Sequence, residues 1–247
     1  MSKIIAFGKS DVGLRRSNNE DVFLLKPDLD MFAVADGVGG AASGEIASRI
    51  FSDTAFEVFS SSFSKTNNCS EEDTTASVQR TFQLANEKIL TSALQNPRHK
   101  GMGCTAELIA FYNYSFVIGH VGDSRTYLFR DGQLRQITKD HSLVQEQIDQ
   151  GIISTIEART HSLKHIISRA VGINEVLAVD IIKGKRLPGD IFLLCSDGLT
   201  DMIDDIVMQQ ALMSSLNLDQ KVERLIDSAK SAGGYDNITV TLCEVLP

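Results

Sequence analysis

Two early stretches repeat apolar residues at helical spacing. In "GEIASRIFSDTAFEVF" (44–59), Ile46, Ile50, Phe51, Ala55, Val58 and Phe59 share one face, and in "SVQRTFQLANEKILTSAL" (77–94) Val78, Phe82, Ala85 and Ile89 do the same. The polar run between them, "SSSFSKTNNCSEEDTT" (60–75), predicts a loop, so the two segments read as an antiparallel helix pair packed on a sheet. Two more segments read as helical: "SLVQEQIDQGIIS" as far as Gly151, and the amphipathic "DQKVERLIDSAKSAG" ending near Gly233.

Elsewhere short apolar runs predict strands. Met31–Ala35 reads as a buried strand, as do "CTAELIAFY" and "SFVIGHVG" on either side of a tight turn at Asn113. Asp131-Gly132 between "RTYLFR" and "QLRQIT" is a strong hairpin signal. "VLAVDIIKG", "DIFLLCSDG" and "NITVTLCEV" complete the set, with "NNEDVFLL" running into an early strand. Strands and helices come in blocks rather than in strict alternation. That favours α+β, antiparallel sheets covered by helices, over a doubly wound fold.

Length and charge narrow the function classes. A chain of 247 residues, 43% apolar, is long enough for one large domain with a real core. A net charge of −8 argues against nucleic-acid binding. No apolar run approaches the ~20 residues of a membrane span, and the start "MSKIIAFGKS" is too short in apolar residues for a signal peptide. The expectation is a soluble, cytoplasmic protein with no membrane partner. Cys69, Cys104, Cys195 and Cys243 show neither zinc nor redox-pair spacing. Three of them lie in strand-like runs, as small buried hydrophobes do.

The chemistry lies where the strands stop. Met31–Ala35 runs into Asp36, "DIFLLCSDG" into Asp197, and "SFVIGHVGDS" into Asp123; Asp236 precedes the last strand, and Glu20 and Asp21 an early one. A lone Asp-Gly at a strand end is ordinarily a turn. If these ends meet, however, several carboxylates share one space, raise each other's pKa and repel, and a cation is the simplest relief. An all-oxygen set with no Cys/His cluster selects magnesium, manganese or calcium. Gly37 can bring its carbonyl close to such an ion, and Gly39 and Gly40 permit a sharp exit.

Taken together, "RRSNNEDVF", "FAVADGVGG", "GMGCTA", "IGHVGDSRTYLFRDGQLRQITKDHS", "ISRAVG", "DIFLLCSDGLTD" and "GGYDNITV" make the chain resemble the metal-dependent protein phosphatases, the type 2C serine/threonine class, in their compact bacterial form. The resemblance spans about residues 10–245. It implies a four-layer αββα sandwich, two antiparallel sheets flanked by antiparallel helix pairs, forming a single catalytic domain over 1–247 with a small mobile flap at about 142–168. It implies hydrolysis of phosphoserine and phosphothreonine by a metal-bridging hydroxide, opposing a bacterial serine/threonine kinase, in a monomer. The alternative is an inactive phosphatase-like binding module, which usually lacks one or more of the acids present here.

By the same resemblance Asp36 bridges two Mn²⁺ or Mg²⁺ ions. Asp197 and Asp236 complete the first, the Gly37 carbonyl and Glu20 serve the second, and Asp21 holds a metal-bound water. Arg16 grips the phosphate, while Arg15 reads as plain surface. Asp123 matches a position that helps hold a third, weaker ion with Asp197, with a turn or a salt bridge to Arg125 as the competing reading. His141 reads equally as a group near the site or as a structural hydrogen-bonder, and His120 as core. His99, His161 and His165 carry no signal. Val38 stands where many eukaryotic members have a histidine, so no leaving-group acid is assigned.

Overall fold

The computed structural model describes residues 3–39, 43–63 and 70–246. Among these, ten strands form two antiparallel sheets. One has the order β1 (Ile4–Asp11), β10 (Ile238–Val245), β9 (Ile191–Cys195), β6 (Arg125–Arg130), β7 (Gln133–Gln136). The other runs β2 (Asp21–Lys26), β3 (Met31–Val38), β4 (Gly103–Tyr112), β5 (Ser115–Val121), β8 (Asp180–Lys185). Helices α1 (Gly44–Phe63) and α2 (Glu71–Gln95) cover the second sheet. The short α5 (Asp197–Thr200), α6 (Asp205–Met213) and α7 (Leu218–Ser231) cover the first. Between β7 and β8 lie α3 (Leu143–Asp149) and α4 (Thr155–Arg159).

Strand periodicity sorts the core into three seams. In β3, Met31, Ala33 and Ala35 face Phe51, Phe59 and Phe82 of the helix pair. Phe32 and Val34, pointing the other way, meet Phe192 and Leu194 of the opposite sheet. Edge-to-face ring pairs join the sheets, Phe111–Phe192 at 5.2 Å and Phe116–Phe192 at 4.9 Å between centroids. A third seam packs Leu193, Cys195 and Val240 against Met208, Val222 and Leu225. The result is the four-layer sandwich. Covering both faces explains why the strands read as unbroken apolar runs rather than alternating ones.

The helix faces predicted from spacing are the buried ones: Phe51, Phe59, Val78, Phe82, Ala85 and Ile89 are fully enclosed. The predicted loop over 60–75 is helical at both of its ends. Helix α1 continues through Ser60, Ser61 and Ser62, and Ser70 caps α2 by accepting the Asp73 N–H, with Glu71, Glu72 and Asp73 in its first turn. Cys69 and Gly40 lie outside the described residues. Both hairpin signals hold: Asn113 and Asp131-Gly132 adopt positive φ at their turns. Strand β8 starts at Asp180, and Leu177 and Val179 ahead of it pack partly buried against the helix-side core. Strand β1 and helix α6 were not expected. No described helix is long and apolar enough to cross a membrane.

Candidate active site

One end of the sandwich collects the strand ends that carry acids. Asp36, near the end of β3, lies directly opposite Asp21 at the start of β2. Asp123 follows β5 by two residues, Asp197 follows β9, and Asp236 precedes β10. The two sheets therefore deliver Asp36 and Asp123 from one side and Asp197 and Asp236 from the other into one cleft of about 630 Å³. Arg16, Glu20, Gly37 and Val38 also line it.

Local bonds fix these groups. The Glu20 N–H donates to Asn237 Oδ1 (2.9 Å), and the Glu20 carbonyl accepts from Gly37 N–H (3.1 Å) and Ser48 Oγ (2.6 Å). Asn237 also donates to Val12 O and Asn18 O, so this one side chain ties the segment before β2 to the loop before β10. Gly37 is required by close approach: a Cβ there would lie 2.3 Å from the Gly44 backbone. Gly39, at φ +144°, makes the exit expected of it.

The carboxylates are crowded enough to disturb one another. Burial first, then Asp21, Asp197 and Asp123, hold the Asp36 carboxyl well above the usual range. Burial, then Asp123, Asp201 and Asp236, do the same to Asp197. Asp123 is pushed up to about 7 by burial and then Asp140, against the opposing pull of Arg125. Burial also raises Asp21, although hydrogen bonds from Thr239 and Ser196 pull the other way; Ser196 Oγ donates to its Oδ2 at 2.7 Å. Glu20 is raised by burial and then Glu45. Asp21 Oδ1 is buried with no hydrogen-bond partner. An orphaned buried oxygen beside mutually repelling carboxylates fits a hard divalent cation.

Arg16 reaches Asp236, its Nη2 2.7 Å from Oδ2, with its own side chain 57% exposed. Arg15, expected as plain surface, packs its guanidinium over the Tyr235 ring at 5.7 Å. The salt bridge weighed for Asp123 is not made in this form, because Arg125 forks onto Asp140 at 2.7–3.1 Å. His165, which gave no sequence signal, lines the cleft. It lies 3.3 Å from Asp201, and its ring nitrogen, Asp197 and Asp201 offer ligand atoms within 4.8 Å of one another. Spacing could not reveal it, because the 142–168 segment folds back over the sheet end to bring it there. The three described cysteines are buried and their thiols raised by burial, so none offers a nucleophile.

The protein phosphatase 2C family model matches residues 15–233. The chain belongs to the protein phosphatase 2C family. Among its relatives, the serine/threonine phosphatase stp of Listeria monocytogenes is 37% identical over 240 residues, covering 96% of this chain and 94% of the relative. The crystal structure of the Mycobacterium tuberculosis serine/threonine phosphatase PstP/Ppp superposes with a TM-score of 0.91 at 34% identity, covering 99% of this chain and 100% of that one. The catalytic domain of PstP in complex with two manganese ions gives a TM-score of 0.88 at 33% identity over the full length of both chains. As a protein phosphatase 2C this chain is a metal-dependent phosphoprotein phosphatase by family, and its carboxylate-rich cluster suits that chemistry.

Proposed function

We propose that this protein hydrolyses phosphoserine and phosphothreonine in other proteins, opposing a serine/threonine kinase. In this reading it is one catalytic domain over 1–247, monomeric and cytoplasmic, whose 142–168 segment acts as a flap. The observation that carries it is the meeting of Asp36 from one sheet with Asp197 and Asp236 from the other, in a cleft rimmed by Arg16.

Asp36, Asp197 and Asp236 would hold a first Mn²⁺ or Mg²⁺ ion, and Asp36, the Gly37 carbonyl and Glu20 a second. Asp123 and Asp197 would hold a third, weaker one. When bound, the ions supply a water activated near neutral pH and neutralise charge for in-line displacement at phosphorus. Asp21, opposite Asp36, would hold a water of the cluster by accepting its hydrogen bond at the unpartnered Oδ1. Arg16 exchanges Asp236 for the phosphate oxygens, which its planar fork suits. Among the described residues the thiols are buried and raised, so none of these offers a cysteine phosphoenzyme route, which favours direct attack by water.

The test is release of phosphate from phosphoserine and phosphothreonine peptides with Mn²⁺ and after chelation. Turnover with the metal, and its loss with the chelator, is the expected pair of results. Full activity in the chelated protein would overturn the metal assignment, and inactivity under every metal condition would leave a binding module instead.

A further inference from the structure

Behind the cleft, a line of buried polar side chains crosses the second sheet, and none of it belongs to the cluster described above. Glu107 on β4 and His120 on β5 are cross-strand partners, both fully buried. His120 Nδ1 bonds Glu107 Oε1, and the other carboxylate oxygen accepts from Thr126 Oγ1 at 2.5 Å. His120 Nε2 donates to the Lys139 carbonyl at 2.8 Å. With a carbonyl at one nitrogen and a carboxylate at the other, both ring nitrogens face acceptors, the arrangement of an imidazolium. The Glu107 charge and hydrogen bond bring His120 up to about 9 against its burial.

The His120 ring lies 4.5 Å from that of His141. His141 grips one residue twice. Its backbone N–H donates to Gly122 O at 2.7 Å, and its Nδ1 accepts the Gly122 N–H at 3.1 Å. An Nδ1 that accepts carries no proton, so the Nε2–H belongs to Asp180 Oδ2 at 3.3 Å. Arg169 Nη1, 3.1 Å from Nε2, can only donate and pairs with Asp180 Oδ1 at 3.0 Å. Gly122 leaves no room for a side chain: at φ +111° a Cβ would lie 2.5 Å from Thr105. Asp123 comes next, and on its far side Ser124 Oγ meets Thr105 Oγ1 at 2.6 Å. The His141 carbonyl meanwhile accepts Ser168 N–H at 2.8 Å, and Leu143 N–H donates to Ile166 O at 2.9 Å, closing the base of the 142–168 segment.

We propose that His141, backed by the His120–Glu107 pair, is a positioning residue that sets the Gly122–Asp123 turn and ties it to the base of the 142–168 segment. It touches no reacting group. Its consequence for catalysis rests on the reading of Asp123 as a ligand of the third ion, and the test separates the two.

The readout is hydrogen exchange of the Gly122 amide in the metal-free protein, with a Mn²⁺ titration and phosphopeptide kinetics alongside. His141→Phe keeps a ring against His120 but removes the acceptor. The Gly122 amide should then exchange roughly five- to tenfold faster, the worth of one ordinary hydrogen bond. Half-maximal phosphopeptide turnover should need more Mn²⁺. His141→Asn, whose Oδ1 replaces the Nδ1 acceptor, should restore both toward wild type. A folded His141→Phe protein with unchanged Gly122 exchange overturns the proposal, and so does an Asn variant as impaired as Phe. The wild type alone provides a check that needs no variant: nitrogen-15 spectra should show His141 neutral with Nδ1 bare, and a protonated Nδ1 refutes the geometry. Asp123→Ala with full phosphopeptide turnover would sink the third-ion reading while leaving the Gly122 result to decide the role of His141.

Discussion

At the scale of single residues, the central acids and Arg16 make different demands. Asp36→Asn or Asp197→Asn removes a charge from a crowd that already pushes both groups up. The variants should fold at least as stably as the metal-free wild type yet lose several orders of magnitude in kcat. Thermal melts and steady-state kinetics on one preparation check both halves, and near-normal turnover in folded Asp36→Asn would refute its bridging place. Arg16 is different, being surface-exposed and, among the described residues, paired with Asp236. If it holds ground and transition states alike, Arg16→Ala raises KM more than it lowers kcat. The loss of a charge-assisted bond is about 1.5–3 kcal/mol, roughly 10- to 150-fold in kcat/KM; an unchanged kcat/KM excludes Arg16 from phosphate binding.

At the scale of elements, the site depends on how closely β3 meets α1. Gly37→Ala puts a methyl against the Gly44 backbone, which cannot rotate away as a side chain would. Overpacking of this kind costs about 1–3 kcal/mol. It also displaces the Gly37 carbonyl and Glu20, so denaturation should show lost stability and a calorimetric titration should show weaker Mn²⁺ binding. Phe82→Ala provides the contrast. It empties a fully buried position packed edge-to-face on Phe51 at 5.0 Å and costs about 3–5 kcal/mol. It lies in the helix-side seam, so Mn²⁺ affinity per folded molecule should stay at the wild-type value. Equal metal loss in both variants would show that the cluster senses global stability and not the β3–α1 approach.

At the scale of the whole molecule, the fold holds like charges together, and pH should report it. Asp123 sits at about 7, with Asp36 and Asp197 also raised, whereas an unfolded aspartate titrates near ~3.9. The native metal-free protein therefore binds more protons than the unfolded chain, and its stability falls as pH rises. His120, at about 9 in the fold, acts in the same direction: its contribution is complete below the ordinary histidine value and is lost as pH rises through 9. His141, lowered to about 4 by burial and then by His120 and Arg169, opposes this only below about 6.5. Between pH 6.5 and 8.5 the metal-free melting temperature should fall, and saturating Mn²⁺ should flatten the slope. A melting temperature that climbs across that window would contradict the raised carboxylates.

The sequence by itself determined the elements and the candidate acids. Periodicity marked the faces of α1 and α2, turn chemistry marked both hairpins, and apolar runs ending in aspartate marked Asp36, Asp123 and Asp197, because each of these is a local pattern carried by neighbouring residues. It was silent on β1, whose residues are half-buried and not strictly alternating, and on α6. Only the tertiary structure decided which strand ends share a cleft, since Asp36 and Asp197 lie on different sheets brought face to face by the Phe111, Phe116 and Phe192 seam. It also decided that Arg125 takes Asp140 and leaves Asp123 without that salt bridge, that His165 arrives from a folded-back segment, and that His141 grips Gly122 from behind. Those are contacts between residues far apart along the chain, and their partners are set by packing, which no local pattern encodes.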